Sequence, residues 1–332
     1  MMDFGPFNVS MLDPDLLASL TRGMAAVNLE LRLAAESAYP PVTEVSRYLI
    51  DAGGKRFRPA LTLLTAHYGD ASAPGVAATA TACELTHLAT LHHDDVMDES
   101  SLRRGVPSTN ARFGNLVAVL SGDYLFSKAS QIMAGQGPEA VMIQASTFER
   151  LVTGQIREST GPAPGEDPLE HYLSVVSHKT ASLIATSARF GALMAGAPAG
   201  VVERVTEFGE YVGTAFQLAD DILDIAGDSR VSGKRPGTDL REGVATLPTL
   251  YVRAAPAPGD KRLIELLDSD LTDDTLHTEA LGLLRRHPAL AQAQQECTAY
   301  AERARDLLKP LPPGPVTDAL DTLCDLAVHR VS

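Results

Sequence analysis

The stretch HLATLHHDDVMD (residues 87–98) and the stretch QLADDILD (residues 217–224) both carry the pattern D-D-x-x-D within apolar sequence. On a helix, positions i and i+4 lie on one face and i+1 lies at its edge, so each pattern projects two or three carboxylates to one side. These carboxylates repel one another, and apolar surroundings raise the cost unless a cation lies between them. The six aspartates are Asp94, Asp95, Asp98, Asp220, Asp221 and Asp224.

Hard cations are the expected partners of these aspartates. Mg²⁺ prefers oxygen ligands, and proteins commonly hold it with one or two carboxylates together with substrate phosphates. A single D-D-x-x-D is often no more than a solvated acidic helix end, but two copies within apolar helices favour a metal site. The neighbouring His92 and His93 are interpreted as packing residues beside a magnesium site rather than as ligands.

Helix-forming residues dominate the rest of the chain, because Ala, Leu, Glu and Arg recur and strand-like alternation is rare. Turn residues such as Gly53-Gly54 separate the helical runs. The pattern predicts one all-helical domain over residues 1–332. The predicted helices span residues 14–37, 41–52, 57–69, 75–98, 115–135, 138–159, 168–196, 199–226, 260–268, 273–286, 289–309 and 315–330.

Composition limits the kind of partner. The 332 residues contain 28 Lys and Arg against 42 Asp and Glu, a net charge of −14, which argues against binding a nucleic-acid backbone. An anionic substrate must therefore be held by a few placed cations or by metal. Three cysteines far apart fit a reducing compartment, and neither a signal peptide nor a transmembrane stretch is evident. A cytoplasmic protein is predicted.

Basic residues stand at turns and helix starts near the aspartates. Lys55 and Arg58 follow the Gly53-Gly54 turn, where the start of a helix offers backbone N–H groups to an anion. Each cation taken alone is more often a surface residue, and the P-loop pattern is absent. Together with six aspartates they predict a site for two diphosphates, one carried by metal and one by Lys and Arg. The other candidates are Arg103, Arg104, Lys179 and Lys234.

Ordered motifs make the chain closely similar to the trans-isoprenyl diphosphate synthases, also called polyprenyl synthetases. The resemblance runs through residues 40–255, and the helical remainder fits the same family. The matching stretches are GGKRFRP (53–59), HLATLHHDDVMDESSLRRGVPSTN (87–110), GDYL (122–125), VTGQIRE (152–158), KT (179–180), GTAFQLADDILDIAGD (213–228), GKRPGTDLREG (233–243) and TLP (246–248).

The resemblance implies an all-α helical bundle of the isoprenoid synthase type around a deep central cavity, with the six aspartates holding about three Mg²⁺ on an allylic diphosphate. The residues implied to contact that diphosphate are Arg103, Lys179, Thr180, Gln217 and Lys234. Those implied to hold isopentenyl diphosphate are Lys55, Arg58, His87 and Arg104. One departure is Val244, where the family often has a lysine before T-L-P, so one contact to the allylic diphosphate is predicted to be missing.

The residues before Asp94 bear on product length. The growing chain is expected to run along this helix at about 1.5 Å per residue, past Thr90, Ala89, Thr86 and Cys83, all small. In the family, a bulky aromatic at the first two positions stops growth early, so its absence resembles a long-chain enzyme with products above about C25. The alternative is that these residues only allow close helix packing. Candidates for a deeper stop are Phe126, Met133 and Phe148.

The chain also resembles bacterial quinone-tail synthases, which implies a menaquinone side-chain precursor as the product, and the family precedent is a homodimer. Other interpretations remain open: a shorter-chain geranylgeranyl synthase, the catalytic subunit of a heteromeric synthase, or its non-catalytic partner, which typically loses aspartates. A terpene cyclase shares the fold, but usually carries N-x-x-x-S-x-x-x-E where this chain has its second D-D-x-x-D.

Overall fold

Helices make up most of the computed structural model, which describes residues 12–227 and 236–329. The first helix begins with a side-chain cap, because the carboxylate of Asp13 accepts from the N–H groups of Asp15 and Leu16. The helices are α1 (Pro14–Ala34), α2 (Pro40–Asp51), α3 (Phe57–Thr65), α4 (Pro74–Met97), α5 (Thr109–Phe113), α6 (Asn115–Ala134), α7 (Pro138–Thr160), α8 (Pro168–Val176), α9 (Ser182–Met194), α10 (Ala199–Ala226), α11 (Thr238–Arg241), α12 (Leu247–Ala254), α13 (Lys261–Leu267), α14 (Asp274–Leu284), α15 (Pro288–Leu308) and α16 (Pro315–His329).

The all-α prediction is confirmed, and the long helices agree with the expected spans within a few residues. Over the described part of the chain the strands are limited to one small antiparallel hairpin, β1 (Leu102–Arg103) and β2 (Val106–Pro107). The predicted helix over 168–196 is wrong in one respect, because a π turn at Ser177–Ala181 separates α8 from α9. The short helices α5, α11 and α12 were not predicted, since so few residues carry no readable periodicity.

The described residues form two compact units. The first unit draws on Met1–Glu149, Leu183–Gly209 and Pro310–Leu320. Its centre is α4, which packs along α6 and also contacts α1 and α3. Leu85 and Leu88 of α4 are fully buried, as is Leu125 of α6. Buried threonines of α4, such as Thr79 and Thr86, donate to carbonyl oxygens four residues earlier, so their hydroxyls are satisfied inside the apolar core.

The second unit draws on Arg150–Ser182, Glu210–Lys309 and Asp321–Ser332. Helix α12 packs against α8 and α15, and α13 packs against α14. Arg305 of α15 donates to Asp321 of α16 at 2.7 Å, which ties these helices together. The single-domain prediction for residues 1–332 stays a prediction. Among the described residues, no helix is long and apolar enough to cross a membrane.

Candidate active site

The first aspartate cluster lies at the C-terminal end of α4, where Asp98 is the C-cap. Carboxylates are disfavoured at this end because the helix dipole is negative there. Asp95 is fully buried, and one of its oxygens accepts from Nε of Arg103 at 2.6 Å. Its other oxygen is buried and has no hydrogen-bond partner among the described residues. The cluster therefore carries more negative charge than Arg103 neutralises.

The β1–β2 hairpin directs the side chains of the adjacent residues Arg103 and Arg104 to different partners. Its turn has positive φ at Arg104 (55°) and Gly105 (77°), which matches a type I′ turn. Arg103 therefore reaches Asp95, whereas Arg104 donates to the carbonyl oxygens of Leu49 and Gly53. The structure thus separates the two residues, with Arg103 at the aspartates and Arg104 beside the Gly53-Gly54 turn. Their contacts to the two diphosphates stay predictions.

A cluster of arginines surrounds the buried carboxylate of Glu84. Arg56 is buried, whereas Arg58 and Arg104 are half-buried. Arg56 donates to Glu84 at 2.7 Å, and Arg104 lies 3.8 Å from the same oxygen. Arg58 interacts electrostatically with Glu84, and its Nε is buried without a hydrogen-bond partner in the part of the chain that the structure describes. Burial lowers the pKa of Arg58, yet a guanidinium stays protonated. Three positive charges thus surround one carboxylate, and the net positive charge of the cluster favours the binding of an anion.

His87 stands within this cluster as a neutral imidazole. Burial lowers its pKa well below the ordinary value, and the charges of Arg58 and Arg104 lower it further. A neutral imidazole donates one hydrogen bond to an anion without adding charge. Lys55 is exposed at the edge of the same turn. Sequence reasoning missed Arg56 and Glu84, because a buried Glu in an apolar helix gives no local signal of its partners.

The second aspartate cluster lies on α10. Asp220 is exposed, Asp221 is buried and Asp224 is half-buried. Asp224 accepts from the backbone N–H groups of Thr238 at 3.1 Å and Asp239 at 3.0 Å, at the start of α11. Asp221 accepts from the hydroxyl of Tyr172, a residue of α8 that sequence reasoning missed. Nothing in the sequence distinguishes Tyr172 from an ordinary core tyrosine.

Lys179 and Thr180 lie on the π turn rather than in a regular helix. The Lys179 ammonium forms an ion pair with Glu158 of α7. The Thr180 hydroxyl donates to Oε1 of Gln217 at 2.9 Å, and Nε2 of Gln217 donates to Asp221 at 2.8 Å. Three predicted residues of the second unit are therefore linked in one chain of hydrogen bonds that ends on the second aspartate cluster.

Burial, together with the charges of Asp220 and Asp224, outweighs the hydrogen bonds from Tyr172 and Gln217 and raises the pKa of Asp221 to about 6. An unfolded Asp has a pKa of about 3.9. Protonation therefore stabilises the native state, and this stabilisation is lost as the pH rises through about 6. A metal ion needs the ionised carboxylate of Asp221, and this ionised form destabilises the metal-free protein.

Asp221→Asn is accordingly expected to stabilise the metal-free protein at pH 8 by about 3 kcal/mol at most, and so to raise its melting temperature. The gain should shrink as the pH falls toward about 4. Thermal unfolding in EDTA at both pH values measures this. Glu203→Gln is the control, because Glu203 is an exposed carboxylate on the same helix and its neutralisation should change little. An unchanged melting temperature for Asp221→Asn at pH 8 would contradict the argument.

His92 and His93 pack against α6, as interpreted from the sequence. Nδ1 of His92 lies 2.6 Å from the hydroxyl of Ser121, and Nε2 of His93 lies 3.1 Å from the carbonyl oxygen of Val119. Burial lowers the pKa of His92 to about 4, so this ring is neutral. His93 follows His92 along α4, whereas its partner Val119 precedes Ser121 along α6, so the two helices run antiparallel.

The residues predicted to set product length lie on α4, which is unbroken from Pro74 to Met97. Ala89, Thr86 and Cys83 are buried, and Thr90 is half-buried. Helix geometry aligns residues 83, 86 and 90 with Asp94, and places Ala89 beside this line. The rings of Phe126 and Phe148 stack with centroids 3.9 Å apart, and Met133 is buried. Their role in product length stays a prediction.

The donor chemistry fits a divalent cation. Six carboxylates, one of them with a buried unpartnered oxygen, match the oxygen ligands that Mg²⁺ prefers. Within residues 12–227 and 236–329, no three His, Cys, Asp or Glu side chains stand close enough to form a metal site by themselves. Lys234 lies outside the described residues. Val244 is exposed, and its N–H donates to the carbonyl oxygen of Asp239.

Comparison with known proteins identifies the family of this chain. The family model of polyprenyl synthetase matches residues 40–284. A nonaprenyl diphosphate synthase of Mycobacterium tuberculosis is 47% identical over 325 residues, covering 97% of this chain and 96% of that protein. The solved structure of geranylgeranyl pyrophosphate synthase from Corynebacterium glutamicum, complexed with calcium and isoprenyl diphosphate, is 40% identical and covers 98% and 99% of the two chains, with a TM-score of 0.88.

A decaprenyl diphosphate synthase from Rhodobacter capsulatus is 35% identical over 96% of this chain and 99% of its own, with a TM-score of 0.86. The fold class is therefore that of the all-α isoprenoid synthases. The chain belongs to the polyprenyl synthetase family, and it is a prenyltransferase. The substrates of this family are isopentenyl diphosphate and allylic diphosphates, and its members generally depend on a divalent metal.

Proposed function

We propose that the enzyme condenses isopentenyl diphosphate with an allylic diphosphate to make a long-chain, all-trans prenyl diphosphate. The observation that carries the proposal is α4, whose last turn bears the first aspartate cluster and whose preceding turns present only small residues at positions 83, 86, 89 and 90. A quinone side chain is the proposed destination of the product, and the cytoplasm its proposed place of synthesis.

About three Mg²⁺ per active site are proposed to bind the six aspartates and the allylic diphosphate. The metal supplies Lewis-acid stabilisation of the charge that grows on the departing diphosphate. Arg103, Lys179, Thr180, Gln217 and Lys234 are proposed to contact the same diphosphate. Fixed cations act in the same direction as the metal, because they are already placed where negative charge develops.

Isopentenyl diphosphate is proposed to bind at the arginine cluster around Glu84, through Lys55, Arg58, His87 and Arg104. The allylic C–O bond then breaks, and the double bond of isopentenyl diphosphate attacks the allylic carbon. A proton leaves the new chain, and the departed diphosphate is the base that accepts it. Apolar surroundings keep water from the carbocation, and the hydroxyl dipole of Thr180 helps to stabilise its charge.

The test is to assay the purified chain alone with radiolabelled isopentenyl diphosphate and farnesyl diphosphate, and to separate the dephosphorylated products by chromatography. Long products support the proposal. Products that end at the geranylgeranyl stage would replace it with the shorter-chain function. Activity that appears only when a second subunit is added would identify a heteromeric synthase, and cyclised products without chain growth would identify a cyclase.

The two diphosphate sites are expected to separate in kinetics. Arg58→Ala and His87→Ala should raise KM for isopentenyl diphosphate, whereas Lys179→Ala and Lys234→Ala should act on the allylic substrate or on ionisation. Charge-assisted hydrogen bonds are worth roughly 1.5–3 kcal/mol, so changes of about ten- to a hundred-fold are expected. Initial rates with each substrate varied in turn measure this.

Arg204→Ala is the matched control for these four variants, because Arg204 is an exposed residue of α10 that carries no predicted role. Its kinetics should equal those of the unmodified enzyme. Equal effects of all four variants on both substrates would show that the assignment of the two sites is wrong.

A homodimer is proposed as the working form. In the first unit, large apolar side chains are exposed on α6 and on the start of α7, including Leu116, Leu120 and Met142, which are 73%, 57% and 65% exposed. Exposed apolar patches of this kind usually mark an interface. We expect a dimer by light scattering, and a shift toward monomer for Leu120→Glu. Lys128→Glu, on the same helix, is the control; a monomeric unmodified protein would contradict the proposal.

A further inference from the structure

No residue of the motif VTGQIRE (152–158) was predicted to contact a substrate, yet its helix α7 touches the π turn that carries Lys179 and Thr180. Gly154 is the point of closest approach. A Cβ placed there would lie 2.7 Å from the backbone nitrogen of Lys179 and 2.9 Å from Cβ of His178. Contacts below 3.0 Å between such atoms are not tolerated, so any larger residue at position 154 must displace the π turn.

Backbone conformation does not explain this glycine. Gly154 lies inside a regular helix and does not have a positive φ, and glycine in a helix interior is disfavoured relative to alanine. The turn that it faces is also unusual, because the N–H of Ser182 donates to the carbonyl oxygen of Ser177, five residues earlier. Such π turns are rare and are frequent at functional sites.

One turn further along α7, Glu158 lies on the same helix face as Gly154. Its carboxylate forms the ion pair with the Lys179 ammonium. The two residues therefore act on the π turn in different ways, Gly154 by leaving space for its backbone and Glu158 by holding its charged side chain. From the π turn, Thr180 and Gln217 continue the hydrogen bonds to Asp221.

We propose that Gly154 and Glu158 form a seat on α7 that positions Lys179 and Thr180 for the allylic diphosphate. Both are positioning residues, because they act through the π turn. The inference rests on the proposed function in one respect, the contact between Lys179 and the allylic diphosphate. A displacement of a substrate-positioning group by about 1 Å is enough to lower the rate up to a hundred-fold. The position of the π turn against Gly154 and Glu158 is therefore expected to affect the rate.

Gly154→Ala is expected to lower kcat/KM for the allylic substrate by about ten-fold or more, with KM for isopentenyl diphosphate within about two-fold of the unmodified enzyme. Glu158→Ala should lower the same allylic parameter about three- to ten-fold, and Glu158→Gln, which keeps an oxygen acceptor for Lys179, should restore part of the loss. Steady-state kinetics with each substrate varied measure the split, and thermal unfolding measures retention of the fold.

Gly282→Ala is the matched control, because Gly282 lies inside helix α14 and its Cβ would meet nothing closer than 3.9 Å. Its kinetics should be unchanged. If Gly154→Ala does not fold, the kinetics of Glu158→Ala and Glu158→Gln test the proposal on their own. Normal allylic kinetics in folded variants, or equal losses for both substrates, would overturn the seat. Lys179→Ala distinguishes a failure of this inference from a failure of the proposed function. Normal allylic kinetics in Lys179→Ala would contradict the proposed contact between Lys179 and the allylic diphosphate. A lower kcat/KM in Lys179→Ala, together with normal kinetics in the Gly154 and Glu158 variants, would contradict only the positioning role of Gly154 and Glu158.

Discussion

Asp94→Ala and Asp220→Ala are each expected to lower turnover by several orders of magnitude, and EDTA is expected to abolish it. Each variant removes a carboxylate from one cluster, and the remaining charges no longer hold a cation against the diphosphate. Initial rates with saturating substrates measure turnover. Calorimetric titration of Mg²⁺ in the presence of inorganic pyrophosphate gives a second readout, in which both variants should bind the metal more weakly.

Glu203→Ala is the control for these variants, because Glu203 is an exposed carboxylate on α10, the helix that carries Asp220. Its turnover and its Mg²⁺ titration should be unchanged. Normal turnover in the presence of EDTA would refute the proposed mechanism. Full activity of either aspartate variant would remove that cluster from the metal site, and the other cluster would then have to be tested alone.

Ala89→Phe and Thr90→Phe are expected to shorten the product to about C15–C20, and Cys83→Phe to allow one or two further additions. These positions lie on an unbroken helix at about 1.5 Å per residue, so a ring at position 83 stands about 10 Å further from Asp94 than a ring at position 90. The first condensation should survive, because the aspartates are untouched. Chromatography of the dephosphorylated products measures chain length.

Overpacking is the competing effect in these variants. Ala89 and Cys83 are fully buried, and an inserted ring typically costs about 1–3 kcal/mol of stability. Melting temperatures must therefore accompany product lengths. Thr90→Val is the control of matched size, and it should leave the product unchanged. Unchanged chain lengths from well-folded phenylalanine variants would show that the product does not follow α4, and the long-chain proposal would lose its structural basis.

Most of the helices and the residue types of the site were predictable because their signals are local. The spacing of Asp94, Asp95 and Asp98 within apolar sequence is enough to predict a helix with carboxylates on one side. The π turn was not predictable from neighbouring residues; it faces α7 at Gly154, which is a contact between segments distant in sequence. Tyr172 and Glu84 were missed for the same reason, since their roles come from partners distant in sequence.

Local sequence patterns were enough to predict the all-α fold, the two D-D-x-x-D helices and the motifs of the polyprenyl synthetase family. The pairing of Arg103 with Asp95, and the position of the adjacent Arg104 among the arginines around Glu84, became evident only in the folded chain. The same holds for the pKa of Asp221, which rises to about 6. Periodicity is a property of neighbouring residues, whereas desolvation and charge pairing depend on what packs over a group in three dimensions.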